Sequence, residues 1–306
     1  MRISTIEQLD EQRRRFAALE QEIPWQVKVC SGSGCIAAGA AAVHDAFVKE
    51  MAAAGISAST SFEQCGGGTS LVAKTGCQGL CQAGPLVTVQ PGGIVYTRVR
   101  TKDVPLIVTE TLQKGVVLES LLYRNPNTGE PCRTREDIPF YVHQKFVALE
   151  GCGIVAADSL GHYLARGGFR ALVHALAMDP IAIIDEVEKS GLRGKGGGGF
   201  PTGRKWRTCV NADGDERFIV CNGDEGDPGA FMDCALMEGD PFRIIEGMMI
   251  GGRAIGAKRG FIYVRHEYPR AVQRLQSAID QCVDAGLLGT DILCSGFDFQ
   301  LRIVRG

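Results

Sequence analysis

The sequence predicts an α/β protein with two domains. The chain has 306 residues, which is enough for two domains, and 45% of them are hydrophobic, which is enough for two cores. Segments with helical spacing alternate with short runs rich in β-branched and aromatic residues. A stretch rich in Pro, Asn, Gly and charge predicts a linker at 124–139. We therefore expect an N-terminal helical segment at 1–24 and domains at 25–123 and 140–306.

The first domain is predicted to run in the order strand, helix, strands, hairpin, helix. Its alanine-rich helix places Val43, Phe47 and Met51 on one face and ends at Gly55. This order suits a small α/β sandwich of the thioredoxin-like type. The predicted elements are a helix at 5–22, strands at 25–30 and 70–74, a helix at 37–54, hairpin strands at 86–90 and 94–99, and a helix at 103–114.

The second domain is predicted to alternate helices with strands, as α/β domains do. Its glycine-rich segment, Gly191–Trp206, follows a predicted helix. The predicted elements are a strand within 140–150, a helix at 160–176 interrupted at Gly167-Gly168, helices at 180–190, 240–257 and 269–284, and strands at 217–221, 259–264 and 297–303.

Four of the twelve cysteines form two pairs in glycine-flanked loops, Cys30-x4-Cys35 and Cys77-x3-Cys81. Four thiolates suit an iron–sulfur cluster or a zinc ion. The spacing differs from that of plant-type ferredoxins, and it does not exclude zinc. We expect most of the other cysteines to be buried core thiols.

Seven of the sixteen residues in Gly191–Trp206 are glycine, and Arg193, Lys195, Arg204 and Lys205 add positive charge. Exposed backbone N–H groups with nearby cations favour a phosphate ligand. The segment contains G-x-G-x-x-G, but a helix precedes it instead of a strand, so the ordinary dinucleotide fingerprint fails. A P-loop also fails, because Trp206 follows Lys205 where Ser or Thr is required.

An acidic loop directly follows the predicted strand at 217–221. Polar groups at the carboxyl end of a strand lie where open α/β sheets bind ligands. The carboxylates of this region, Asp224, Glu225, Asp227 and Asp233, argue against a phosphate here. They suit hydrogen bonds to ring N–H groups or ribose hydroxyls instead.

Two groups of motifs resemble a known family. The two cysteine pairs, with Thr75-Gly-Cys-Gln-Gly-Leu-Cys-Gln-Ala-Gly-Pro85, resemble the thioredoxin-like [2Fe–2S] domain of NADH-oxidising complexes. Gly191–Trp206, Cys221–Asp233, Glu238–Pro241 and Ile262–Pro269 resemble the NADH-oxidising flavoprotein subunit of respiratory complex I. A fused [2Fe–2S] domain ahead of the flavin domain is similar to subunits of NAD-linked and electron-bifurcating hydrogenases and of related formate dehydrogenases.

The resemblance implies the fold and the site residues. The fold would be α/β, with a thioredoxin-like [2Fe–2S] domain followed by a Rossmann-like FMN-binding domain. Phe200 would stack beside NADH, while Glu225 and Asp227 would lie near the flavin and the nicotinamide. The cluster would be ligated by Cys30, Cys35, Cys77 and Cys81, and FMN would be held by residues of the glycine-rich segment and the acidic loop, namely Gly194, Lys195, Gly196, Gly197, Lys205, Asn222 and Asp224.

The sequence departs from the family at several positions. Lys195 and Gly198 stand where Arg and Ala are common, Asp227 where Glu is common, and Cys234 where Arg is usual. The family also continues beyond Gly306 with a Gly-Glu-Glu loop that completes the flavin site and with a [4Fe–4S] domain. We therefore expect the second domain to be incomplete at its C-terminus.

The predicted function is oxidation of NADH by FMN, with single electrons passed to iron–sulfur clusters of a larger complex. Hydride transfer needs no side-chain acid or base, so we predict no catalytic residue. The expected partners are NAD(H) and other iron–sulfur subunits, and the terminal electron acceptor stays open. The alternatives are a non-catalytic [2Fe–2S] electron-transfer or docking fragment and a zinc-stabilised scaffold.

Composition excludes several other classes of protein. The formal net charge is −2, whereas a nucleic-acid-binding protein is expected to carry an excess of positive charge. No run of 18 apolar residues predicts a membrane span, and the charged N-terminus lacks a signal-peptide core. We expect a cytoplasmic protein, which could lie peripherally on a membrane complex.

Overall fold

The computed structural model describes residues 2–306, which packing divides into two compact units. The cysteine unit comprises Arg14–Arg166 and Glu238–Asp240. The glycine-loop unit comprises the chain up to Arg13, Gly167–Met237 and Pro241–Gly306. These units group residues by packing. The domain limits inferred from the sequence were drawn from motifs instead of packing, and they stay a prediction.

The cysteine unit is built on a five-stranded sheet with the order β2-β3-β1-β4-β5. β1 pairs in parallel with β3 and antiparallel with β4, and β4 pairs antiparallel with β5, which is the thioredoxin-like arrangement. The strands are β1 (Gln26–Cys30), β2 (Ala58–Ser59), β3 (Ser70–Thr75), β4 (Val87–Gln90) and β5 (Ile94–Tyr96), and a short antiparallel pair follows, β6 (Tyr123–Arg124) with β7 (Pro131–Cys132).

The helices of this half of the chain are short apart from the first and the third. They are α1 (Ile6–Glu22), α2 (Ser33–Ala37), α3 (Ala40–Ala53), α4 (Val104–Leu106), α5 (Pro139–Val142) and α6 (Leu160–Ala165). The predicted face of Val43, Phe47 and Met51 is confirmed, because all three pack in one core with residues of β1. All five residues of β1 are buried, as expected for a central strand that is covered on both faces.

Three predicted elements of the first half differ in the structure. The helix expected at 37–54 is divided into α2 and α3, because Gly39 takes a left-handed conformation with φ +96°. The helix expected at 103–114 begins as α4 and continues with π-helical turns over Ile107–Gln113. The strand predicted within 140–150 is wrong. Pro139 begins the short helix α5, and buried Tyr141 packs with Val95, Cys132 and Ile138 instead of pairing in a sheet.

The glycine-loop unit contains a three-stranded parallel sheet with the order β10-β9-β8. Two long helices, α11 and α12, connect successive strands, as crossovers between parallel strands require. The elements are α7 (Arg170–Leu176), α8 (Pro180–Ser190), α9 (Thr202–Asn211), β8 (Phe218–Gly223), α10 (Met232–Gly239), α11 (Pro241–Ile255), β9 (Arg259–Val264), α12 (Pro269–Asp284) and β10 (Gln300–Arg305).

Most predictions for the second half are confirmed, including the break at Gly167-Gly168 between α6 and α7. The last strand begins three residues later than predicted, because Phe299 exchanges two backbone hydrogen bonds with Gly289 before β10 starts. The helix α9 was not predicted, and its first half, residues 202–206, belongs to the segment that was interpreted as a glycine-rich loop. In residues 2–306, none of the helices has both the length and the apolar character needed to cross a bilayer.

Candidate functional site

The two cysteine pairs meet at one edge of the sheet in the cysteine unit. Cys30 is the last residue of β1 and pairs with Thr75, the last residue of β3. Because these strands are parallel, the loops that follow both of them leave the sheet at the same edge. Cys35 lies on α2 in the first loop. Cys77 and Cys81 lie in the second.

Glycines let the two loops approach each other closely. A Cβ at Gly32 would lie 2.6 Å from the Cβ of Cys77, and a Cβ at Gly84 would lie 2.7 Å from the sulfur of Cys35. Real Cβ atoms do not approach neighbours this closely, so glycine is required at both positions. In the sequence, this requirement is visible only as glycines that flank the cysteines. Which cysteine each glycine approaches follows only from the fold.

The four thiols form one interacting set. The sulfurs of Cys77 and Cys81 lie 3.8 Å apart. The thiol of Cys30 interacts with those of Cys35 and Cys77. Its interaction with Cys35 raises the pKa of Cys30 to about 11 and lowers the pKa of Cys35. Proximity to Cys30 raises the pKa of Cys77.

The separation of one pair of sulfurs suits binding to one metal atom. Two thiolates bound tetrahedrally at about 2.3 Å lie about 3.8 Å apart, which matches the Cys77–Cys81 separation. A structural zinc site needs four ligands around one point, whereas a [2Fe–2S] cluster needs two on each iron. The separation fits both kinds of site.

The glycine-rich segment forms a closed loop between α8 and α9. Gly191 ends α8 in a left-handed conformation, which is a common helix end. The N–H of Gly194 donates to the carbonyl of Phe200 at 2.9 Å, and the N–H of Thr202 donates to the carbonyl of Leu192 at 2.9 Å. These two bonds close the base of the loop and leave its tip, which carries the predicted Lys195, Gly196 and Gly197, exposed.

The tip of the loop offers unused hydrogen-bond donors. Within residues 2–306, the backbone N–H groups of Gly196, Gly197 and Gly198 donate to no other group of the protein. Phe200 is 48% exposed, and the charged groups of Arg204 and Lys205 lie 5.9 and 6.0 Å from the centre of its ring. Free amides and cations at the start of a helix can bind a phosphate group, and an exposed ring can stack on an aromatic part of the same ligand.

The acidic loop leaves the sheet beside the end of β9. Gly223 ends β8 in register with Val264, so the residues that follow both strands are neighbours. Arg265 donates to the carbonyl oxygen of Glu225 at 3.0 Å, and the hydroxyl of Tyr268 donates to the same oxygen at 2.9 Å. Neither residue was predicted as a site residue, although the motif Ile262–Pro269 that contains them was noted in the sequence.

The four predicted polar residues of this loop differ in their surroundings. Asn222, Asp224 and Asp227 are exposed, and the carboxylate of Asp224 lies 3.7 Å from Arg265. Glu225 is buried, and its carboxylate accepts the backbone N–H groups of Asp233 and Cys234 in the first turn of α10, at 3.0 and 3.1 Å. Negative charge at a helix N-terminus is favourable, so Glu225 stabilises α10. Burial, and then the charge of Glu225, raise the pKa of Asp233.

The structure thus assembles the predicted residues in three groups. The cysteines form one group, the glycine-rich loop with Phe200 and Lys205 a second, and the acidic loop with Arg265 a third. In the part of the chain that is described, no hydrogen bond or ion pair links the glycine-rich loop to the acidic loop.

Comparison with known proteins finds a family match and several relatives. Residues 187–306 match the Nuo51 FMN-binding domain. The chain is 48% identical over 160 residues to the HndC subunit of the NADP-reducing hydrogenase of Solidesulfovibrio fructosivorans, an alignment that covers 52% of this chain and 32% of that protein. It is 48% identical over 148 residues to a subunit of the NADH-quinone oxidoreductase of Aquifex aeolicus, covering 48% of this chain and 34% of that protein. The alignments thus span about a third of each relative.

Two solved structures are also similar. A NAD+-reducing [NiFe]-hydrogenase in the H2-reduced state aligns with a TM-score of 0.44 and 24% identity, covering 97% of this chain and 46% of that one. A thioredoxin-like [2Fe–2S] ferredoxin from Aquifex aeolicus aligns with a TM-score of 0.25 and 28% identity, covering 32% of this chain and 87% of that one.

Proposed function

Because residues 187–306 match the Nuo51 FMN-binding domain, we propose that the chain is an NADH-oxidising flavoprotein module of a larger redox complex. The observation that carries the proposal is the presence, in the same chain, of an interacting set of four thiols on a thioredoxin-like sheet. A flavin domain and an iron–sulfur domain together suit the conversion of a two-electron donor into single electrons.

FMN is proposed to bind mainly through the glycine-rich loop. The free amides of Gly196 and Gly197 and the charges of Lys195 and Lys205 suit its phosphate, while Gly194 closes the base of the loop. When bound, FMN supplies the chemistry of accepting a hydride and releasing electrons singly. The protein supplies position and charge, and no side chain is needed as an acid or a base.

The acidic loop is proposed to select the organic parts of the ligands. Asn222 and Asp224 are exposed acceptors that suit ring N–H groups and sugar hydroxyls. Asp227, also exposed, is assigned to the nicotinamide side by resemblance. Glu225 is included by resemblance. The contacts of its carboxylate with α10 favour an indirect role, in which Glu225 holds the loop in shape. The exposed ring of Phe200 suits stacking beside the nicotinamide of NADH.

The cluster is proposed to be [2Fe–2S], held by Cys30, Cys35, Cys77 and Cys81. The separation of the Cys77 and Cys81 sulfurs supports this pair as the ligands of one iron. The partners are proposed to be further iron–sulfur subunits, since the curated relatives are described as subunits. The acceptor that finally takes the electrons is set by those partners.

The proposal is tested by anaerobic reconstitution of the full chain with FMN, iron and sulfide. We expect bound flavin, about two irons per chain, bleaching of the flavin absorption on addition of NADH, and an EPR signal from a reduced [2Fe–2S] cluster. NADPH in a parallel reaction tests nucleotide preference. A cluster without retained flavin would favour the second candidate, a non-catalytic electron-transfer module, and a colourless zinc-loaded protein would exclude both redox functions.

A further inference from the structure

The segment that contains α5 lies against the loop that carries Cys77 and Cys81. The hydroxyl of Tyr141 donates to the carbonyl oxygen of Gln78, in the middle of that loop, at 2.9 Å. Tyr141 is only 5% exposed. A hydrogen bond shielded from water is stronger than one at the surface, so Tyr141 fixes the position of the loop.

The neighbouring ring covers the same loop from outside. A Cβ at Gly79 would lie 3.3 Å from Cε1 of Phe140, so the ring rests directly on the glycine backbone. Gly79 has φ +85°, a conformation that a larger residue would adopt only with strain. The rings of Phe140 and Tyr141 lie edge to face, with their centres 5.1 Å apart.

A cation lies over the rings of Tyr141 and Phe146. The guanidinium of Arg135 lies 4.7 Å from the centre of the Tyr141 ring and 4.3 Å from that of Phe146, within the range of a cation–π contact. The cation–π contact therefore helps to hold the ring of Tyr141 in place.

The aromatic segment lies on the side of the cysteine site that is most exposed to solvent. Cys30 and Cys35 are each 1% exposed, whereas Cys77 is half-buried and Cys81 is exposed. Water and oxidants therefore approach the site through the Cys77–Cys81 loop. The aromatic segment lies against the part of that loop between the two cysteines.

We propose that Arg135, Phe140 and Tyr141 are positioning residues of the iron–sulfur site. Tyr141 and Phe140 hold the Cys77–Cys81 loop and slow the loss of the cluster. Arg135 supports the ring of Tyr141 through its cation–π contact. The inference rests on the [2Fe–2S] cluster in the proposed function, and it adds residues that lie outside the predicted thioredoxin-like domain.

The cation is tested by Arg135→Gln in the full chain, reconstituted anaerobically, with Arg133→Gln as the matched control. Arg133 is a nearby exposed arginine without a ring contact in the described structure. In the presence of an iron chelator, we expect Arg135→Gln to lose its cluster about threefold faster than the wild type, because the Tyr141 ring loses its cation–π contact. Arg133→Gln should lose its cluster at the wild-type rate, and a wild-type rate for Arg135→Gln would overturn the role of the cation.

The contacts with the loop are tested by the rate of cluster loss in the presence of an iron chelator. Tyr141→Phe keeps the ring but leaves the carbonyl of Gln78 without its buried donor, so we expect about fivefold faster loss, equivalent to one ordinary hydrogen bond. Phe140→Ala should also speed the loss. Val142→Ala, which shortens another exposed apolar residue of α5, should not.

The outcomes separate this inference from the proposed function. A wild-type chain that binds no iron and sulfide would overturn both. A wild-type chain that holds its cluster, with Tyr141→Phe and Phe140→Ala losing theirs at the wild-type rate, would overturn the positioning role alone. Far-UV circular dichroism confirms that each variant is folded, and Tyr141→Phe, which removes a single oxygen atom, guards against misfolding as the cause.

Discussion

Substitution of Gly203 by alanine is a sharp test of how the glycine-rich loop is supported. Gly203 is the second residue of α9 and is buried against α8. A Cβ at this position would lie 2.5 Å from the Cγ, 2.6 Å from the backbone nitrogen and 2.9 Å from the Cα of Glu188. Ordinary carbon contacts are about 3.5–4.0 Å. Alanine would therefore force α8 and α9 apart by about 1 Å.

The sign of the effect follows from two opposing contributions. Replacing glycine by alanine in an exposed helix interior stabilises by up to about 1 kcal/mol, and by less in the first turn. Overpacking a close contact costs about 1–3 kcal/mol. Backbone atoms of Glu188 cannot rotate away as a side chain could, so the cost dominates. We expect Gly203→Ala to lower the free energy of unfolding by about 1–2 kcal/mol and to weaken FMN binding, because the loop joins the two displaced helices.

Urea unfolding followed by tryptophan fluorescence measures the effect, since Trp206 lies on α9. The matched control is Gly247→Ala on α11, where an added Cβ meets nothing within 4 Å and helix propensity alone should stabilise. Opposite signs for the two variants are expected. If Gly203→Ala is as stable as the wild type or more stable, the close approach of α8 and α9 is not as described.

Three further substitutions test the sites and one partly buried ion pair. Lys205→Ala should weaken FMN binding about tenfold in a fluorescence titration, whereas Lys189→Ala, an exposed lysine on α8, should leave the affinity unchanged; equal affinities would remove Lys205 from the phosphate site. Cys77→Ser should lower the iron-to-protein ratio, while exposed Cys294→Ser should keep it; wild-type iron in the first variant would remove Cys77 from the ligand set. Burial raises the pKa of Glu20, but contacts with His162 and Arg166 lower it overall to about 2. Its stabilising effect is present above about pH 4.5 and is lost as the pH falls toward 2. Glu20→Gln should therefore lower the free energy of unfolding at pH 7 by about 3 kcal/mol. The difference from the wild type should shrink between pH 5 and pH 2, and a difference that is independent of pH would contradict the assignment.

Most of the regular elements could be predicted from the sequence, because local patterns determine them. α8 and α12 carry apolar residues at helical spacing, and β8 and β9 are short apolar runs between turns. The predictions were wrong where contacts between residues that are far apart in sequence outweigh the local pattern. Residues 140–150 are rich in aromatic and β-branched residues and so suggested a strand. Their aromatic side chains pack instead around Cys132 and the cysteine loop.

The candidate site divides in the same way. The residue types that carry the chemistry, such as the paired cysteines and the glycine-rich loop, stand close together in sequence and could be found there. Arg265 and Tyr268 could not be assigned a role, because their contact with Glu225 depends on the register of β8 and β9. Glu225 itself was predicted near the flavin, and only the structure places its carboxylate at the start of α10.

The sequence alone determined the chemistry that is available to this protein: four thiols in two loops, a glycine-rich cationic loop and a loop of carboxylates. Such features depend on residue type and short spacing, which are properties of the chain before it folds. The tertiary structure decided which groups meet. Parallel pairing of β1 with β3 brings Cys30 and Cys77 to one edge of the sheet. The two strands are far apart in sequence: Thr75 in β3 is hydrogen-bonded to the carbonyl of Val29 in β1, 46 positions earlier. The fold also places the hydroxyl of Tyr141 on the carbonyl of Gln78, 63 positions away in sequence. Burial of an aromatic ring is favourable against any apolar surface, so the sequence alone does not determine which surface covers it.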